Sequence, residues 1–202
     1  SQLDAVGVSN RLVSVTIGGN DADFTGFFTK CLSSVSASDH PCADTYTTGS
    51  LDVTAASFGS ALGAALDQIR ARAPQAKVSV VGYLGVSPAA GECFASGRLK
   101  LTATDAPLVR YWQQRLRDAQ HAAAVGHGAK FVDAFALSSG HDPCAADGQR
   151  WVFADGEGTA PLHPNTAGQQ ALASMLVAVA RDAAPYLEIP PAKPPHSAAP
   201  AI

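Results

Sequence analysis

The chain has 202 residues, 47% of them hydrophobic and 15% charged, which fits one domain with a packed core and excludes disorder throughout. The net charge is −3 with 14 basic residues and no basic block, which argues against a nucleic-acid binder or a polybasic membrane anchor. No apolar stretch reaches the roughly 18 residues of a transmembrane helix. Ser1-Gln2-Leu3-Asp4 has no leader character and reads as the interior of a longer protein.

Residues 11–17 are short and β-branched and stop at Gly18-Gly19-Asn20-Asp21, which predicts a buried strand entering a tight loop. Residues 21–33 read as helix with Asp21 as its cap, and residues 34–50 as polar loop. Apolar residues at helical spacing over 52–73 predict a second helix, ended by Pro74. Residues 77–83 form a second buried strand, and residues 84–104 a long loop. Residues 105–125 form an amphipathic helix with Leu108, Trp112, Leu116 and Ala119 on one face. A third strand covers residues 130–134, and a loop of about 30 residues leads to His163, a length that is usually functional or stapled. Asn165 begins a last helix to about Ala184, stopped by Pro185. The domain is expected over residues 1–187, and residues 188–202, with five prolines and no period, as a disordered tail. No internal repeat is present. The alternation predicts a parallel α/β sheet covered on both faces, with ligands at the carboxyl ends of its strands. Those ends are Gly18-Gly19-Asn20-Asp21, Gly82-Tyr83, and Asp133 with its long loop.

Cys31, Cys42, Cys93 and Cys144 lack CxxC spacing, which speaks against zinc or thioredoxin-like chemistry. Two disulfides in an oxidising compartment suit the even count, and three connectivities are open. Pairing Cys31 with Cys42 and Cys93 with Cys144 staples two long loops, worth about 3 and 4 kcal/mol on chain entropy. Four buried free thiols in a reducing compartment are the alternative.

Two glycines before Asn20 let the backbone turn sharply and approach a ligand, and an Asn amide there can donate to a developing oxyanion. The plain alternative is a Gly-Asn turn with Asn tolerated at positive φ. His163, in Pro161-Leu162-His163-Pro164-Asn165, is held extended by Pro164 and is a candidate general base, or else a structural loop histidine. His40, His121, His127 and His196 lie in polar surroundings or the tail. His141 is expected to bond within the loop stapled at Cys144.

These pieces together resemble one family. Thr16-Ile17-Gly18-Gly19-Asn20-Asp21 is similar to the third block (Gly-x-Asn-Asp) of the SGNH, or GDSL, hydrolases. Pro161-Leu162-His163-Pro164-Asn165 resembles their fifth block, around the catalytic histidine. Val80-Val81-Gly82-Tyr83, the Cys93 loop and Gly140-His141-Asp142-Pro143-Cys144 look like the secreted actinomycete esterases and lipases of that group, and the likeness runs over roughly residues 3–180. The resemblance implies a three-layer α/β/α fold (SGNH/flavodoxin-like) and a secreted or cell-envelope ester hydrolase without cofactor or metal. Its substrate is an ester of a lipid or an acylated sugar. It assigns Asn20 to the oxyanion hole and His163 to proton transfer from a serine nucleophile.

The chain departs from the family in two ways. The Gly-Asp-Ser block and the oxyanion glycine block precede Gly-x-Asn-Asp in the family, and this chain begins only 17 residues before Gly18. The first central strand and the nucleophile are therefore expected on an N-terminal segment or separate chain carrying Gly-Asp-Ser, without which this chain is inactive. Ser87 and Ser138-Ser139 follow strands but not in a strand-to-helix elbow, so no serine here is assigned as the nucleophile. Second, the position three before the histidine, often Asp in the family, is Ala160. Its main-chain carbonyl is the expected acceptor for the imidazole, with Asp155 or Asp133 as alternatives. Two competing readings are a non-catalytic SGNH-like binding module and a nucleotide-binding domain, the latter opposed by the missing GxGxxG and P-loop patterns.

Overall fold

The computed structural model describes residues 2–95, 99–154, 157 and 160–181. The Pro-rich tail, Asp155, Pro185 and His196 lie outside the described residues. In chain order, a 3₁₀ turn at Gln2–Ala5 precedes β1 (Leu12–Val15), α1 (Phe24–Cys31), α2 (Thr48–Arg72) and β2 (Lys77–Val81). There follow β3 (Cys93–Phe94), β4 (Lys100–Leu101), α3 (Ala106–Gly126), β5 (Lys130–Val132), α4 (Ala134–Leu137) and α5 (Thr166–Ala180).

β1, β2 and β5 form a parallel sheet in that order, and β3 and β4 pair separately as an antiparallel hairpin. The register sets Val13 beside Val78, Val15 beside Val80, and Val81 beside Val132. Because side chains alternate across a strand, Val13, Val15, Val78 and Val80 share one face. They enter the main core with Phe58, Leu62 and Leu66 of α2 and Val109, Trp112 and Leu116 of α3. α5 also packs on β2 and β5, and its Leu172 and Met175 belong to a second, smaller cluster with Leu84, Ala134 and Val152. The fold is thus a three-layer α/β/α arrangement.

Several boundaries differ from the sequence reading for local reasons. α2 starts four residues early because Thr47 and Ser50 form a reciprocal capping box. β1 ends at Val15, ahead of Gly18, whose φ of 100° turns the chain. β5 ends at Val132 because the Asp133 carboxylate accepts from the Ala136 N–H and opens α4, a helix the sequence did not announce. The hairpin interrupts what reads as a plain loop.

Cys31 is joined to Cys42 and Cys93 to Cys144. The first bridge ties the end of α1 to the following loop, which Asp105 also holds by accepting the Cys42 and Ala43 N–H groups at 3.1 and 2.9 Å. The second ties the hairpin to the loop after α4.

β1 lies at an edge, and among the described residues no strand pairs its outer side. Leu12 and Ser14, on the face opposite Val13 and Val15, are exposed, Leu12 to 47%. In β2, by contrast, every position after Lys77 is buried.

Candidate active site

The Gly18–Asn20 turn leaves β1 at its carboxyl end and is closed by Gly18 C=O accepting from Ala22 N–H and Asn20 C=O accepting from Asp23 N–H. A Cβ on Gly18 would overlap the Phe58 ring, so glycine is required there by both φ and space. The Asn20 side chain is exposed, and its amide makes no hydrogen bond among the described residues. Asp23, not Asp21, caps α1, accepting from Gly26 N–H at 3.2 Å with a φ of 50°.

His163 is positioned by a short antiparallel pairing. Phe153 N–H donates to His163 C=O at 3.0 Å and Leu162 N–H to Phe153 C=O at 3.1 Å. Asn165 locks the same segment: its amide donates to Arg150 C=O at 2.8 Å while its carbonyl oxygen accepts from Gly168 N–H at the start of α5. Between the prolines, Leu162 has a φ of 63°, a conformation that strains a side chain with a γ-branch.

That turn changes which carbonyl faces the ring. His163 Nδ1 lies 3.1 Å from the Pro161 carbonyl oxygen. The Ala160 carbonyl, expected at the imidazole, instead accepts the His163 backbone N–H at 3.2 Å. The left-handed Leu162 brings the second carbonyl back, rather than the third, to the ring. A carbonyl only accepts, so neutral His163 carries its proton on Nδ1 and presents Nε2 as a lone pair.

His163 opens on a cavity of about 840 Å³ at the carboxyl ends of the strands. Phe24, Phe28, Leu84, Phe135 and Leu172 give it an apolar wall, and Tyr83 lines it at the end of β2. Asn20 is not in the lining; its turn reaches the cavity through Gly19, against which Tyr83 packs. Burial raises the Tyr83 pKa, opposed by the Gly19 N–H, so the phenol stays protonated at neutral pH.

The family model described as GDSL-like Lipase/Acylhydrolase matches residues 1–171. The chain belongs to that family. It is 40% identical over 180 residues to Lipase 2 of Streptomyces coelicolor, covering 85% of this chain and 60% of that protein. It is similar to the crystal structure of phospholipase A1 from Streptomyces albidoflavus NA297, with a TM-score of 0.66, 25% identity, and coverage of 88% of this chain and 72% of that one. The extracellular lipase of Streptomyces rimosus follows with a TM-score of 0.62, 26% identity, and coverage of 89% and 72%. The chain spans about half to 60% of the length of the curated relatives it matches.

In this GDSL-like chain most of the other residues considered for chemistry are committed elsewhere, while Ser139 is exposed. Ser87 is buried and its Oγ accepts from Gln113 at 2.6 Å. Ser138 is buried too, accepting from Gly85 N–H and donating to Phe135 C=O. Asp133, an alternative partner for the histidine, is paired with Arg117 through Nε and Nη2 at 2.9 and 2.6 Å. Although burial opposes it, hydrogen bonds from Arg117 to Asp133 and Asp118 raise the guanidinium pKa and hold it charged. His141 stacks on Trp151 with ring centroids 3.8 Å apart, its Nδ1 on Gln149 C=O. Sequence reading missed Phe24 and Phe135 as cavity walls and the Gln113, Arg117, Gln120 stripe of α3, a spacing of one helical face that marks it in hindsight.

Proposed function

We propose that this chain supplies the general base and one oxyanion donor of a secreted serine ester hydrolase, with the nucleophile on a segment carrying Gly-Asp-Ser. The observation that carries the reading is His163, with its Nδ1 on a main-chain carbonyl and its ring on the apolar cavity. The serine hydroxyl gives its proton to Nε2 and attacks the ester carbonyl. The Asn20 amide stabilises the oxyanion, and the imidazolium returns its proton to the departing alcohol. Water then hydrolyses the acyl-enzyme by the same proton path. The Pro161 carbonyl orients the ring as a carboxylate does in a triad, with less stabilisation of the imidazolium. The apolar wall suits an acyl chain, and the two bridges suit an oxidising, extracellular setting.

The segment carrying the serine pairs in parallel along the outer side of β1, beside Leu12 and Ser14. Both the exposed edge and the fraction of the relatives' length that is covered support this. The test is intact mass after a fluorophosphonate probe, on the chain alone and on the chain completed with a Gly-Asp-Ser segment from the relatives. One adduct on the added segment, abolished by His163→Ala, is expected. An adduct on the chain alone would overturn the placement of the nucleophile. No adduct in either form, with the segment bound, would leave a non-catalytic binding module in place of an enzyme.

A further inference from the structure

The two flanks of α1 meet different surroundings. On one, Phe27 and Cys31 are buried in the main core, Phe27 packs on Trp112 of α3, and Cys31 is bonded to Cys42. The buried Asp105 carboxylate holds the Cys42 end by accepting two backbone N–H groups. The helix is thereby fixed from behind, on the α2–α3 side of the sheet. Along the other flank Phe24, Phe28 and Leu32 recur every fourth residue, and all three line the cavity that His163 opens on. Thr25 and Thr29 run beside them and are exposed.

This apolar strip begins at the turn that carries Asn20. Phe24 N–H donates to Gly19 C=O at 2.9 Å, and a Cβ on Gly19 would lie 3.0 Å from the Phe24 ring. The Phe28 ring follows, with centroids 5.4 Å apart. Leu32 caps the carboxyl end of the helix one turn further on. At 1.5 Å per residue, Leu32 stands about 12 Å beyond Phe24.

We propose that the strip binds the acyl chain of the ester and that Leu32 sets the chain length. It favours medium-chain acyl groups of about ten carbons, whose extended length matches the strip. This deepens the reading of Asn20 and His163 as oxyanion and proton-transfer groups, and rests on it. Direction follows from the chemistry. The general acid must reach the departing oxygen, so the alcohol lies on the side of His163, where Leu172 of α5 lines the cavity. The carbonyl oxygen points at Asn20, and the acyl chain leaves on the remaining side, along α1. The strip belongs to the α2–α3 side and not to the open outer edge of β1, so its occupant is substrate and not the Gly-Asp-Ser segment. Such a wall gains about fourfold in kcat/KM for each methylene it covers, and the gain ends where the wall ends.

The test uses the enzyme completed by its Gly-Asp-Ser segment and p-nitrophenyl esters from butyrate to tetradecanoate, which differ in the acyl chain alone. kcat/KM should climb to about ten carbons and then level. Leu32→Trp fills the far end of the strip and should lower the decanoate-to-butyrate ratio at least about tenfold. Leu32→Ala removes volume at the same place and should move the optimum to longer chains; it carries the test if the tryptophan variant does not fold. A profile unmoved in both variants, with the wild type labelled by fluorophosphonate, overturns the strip and leaves the enzyme reading standing. Equal loss at every chain length in Leu32→Trp, with less segment retained, puts the segment on the strip and also overturns the proposal. So does an effect seen only when the alcohol is varied, read with acetates of short and long alcohols. If the completed wild type takes no fluorophosphonate adduct, the enzyme reading fails and takes the acyl strip with it.

Discussion

The two faces of the sheet are finished to different degrees. On one, α2 and α3 bury seven and nine residues, and their aromatic and aliphatic side chains interlock with Val78 and Val80. On the other, ten of the fifteen residues of α5 are Ala, Leu, Met or Val, yet only Gly168 is buried among the described residues. Leu12 and Ser14 of β1 are exposed on that same side. A helix so apolar normally lies in a core. The difference is what the proposed Gly-Asp-Ser segment would account for: it would lie beside β1 and against α5, next to the turn that carries Asn20.

Substitutions sharpen this contrast. The largest effect is expected on the finished face, where Trp112→Ala should cost about 3–5 kcal/mol in urea unfolding, since that ring is 1% exposed and packs on Phe27. Val177→Ser in α5 should stay within about 0.5 kcal/mol in the present chain. Its cost should grow once the Gly-Asp-Ser segment is bound. Equal costs for the two substitutions in the chain alone would remove the contrast.

A comparable test lies at the rim of the cavity. Arg117→Met leaves the half-buried Asp133 carboxylate without its partner and should cost about 3 kcal/mol, with much of it recovered by adding Asp133→Asn, which keeps an oxygen for the α4 cap. No recovery in the double variant would mean that the arginine contributes packing rather than charge. Gly168→Ala tests the seam between α5 and the backbone at Trp151. An added methyl gains helix propensity but would lie 2.0 Å from the Trp151 carbonyl oxygen, which only a backbone shift relieves, for a net loss of about 3 kcal/mol or more. A gain in melting temperature would show that α5 is loose against the His163 segment as well as at its outer flank.

What the sequence announces follows the range of the interaction. Three β-branched runs, three long helices and the Gly18-Gly19-Asn20 turn were legible because their patterns are local. The pairing of the four cysteines followed from loop lengths. The β3–β4 hairpin was not legible, since two-residue strands carry no period. Nor was the Arg117–Asp133 pair, which joins residues sixteen apart on different elements. The acceptor at His163 was misplaced by one residue because it depends on a left-handed Leu162, and leucine is among the residues least expected there.

The Phe58–Gly18 contact has a consequence for how this protein can vary. Phe58 is a core residue by every measure of burial, yet its ring also occupies the space under the turn that ends in Asn20. Volume-conserving drift, harmless at most interior positions, here alters the floor of the turn. With Asn20 in its proposed role, selection for fold and selection for turnover act on the same side chain. In a library that randomises the α2 face, Phe58 should stand out as a position where stability alone fails to predict which variants survive a screen for activity.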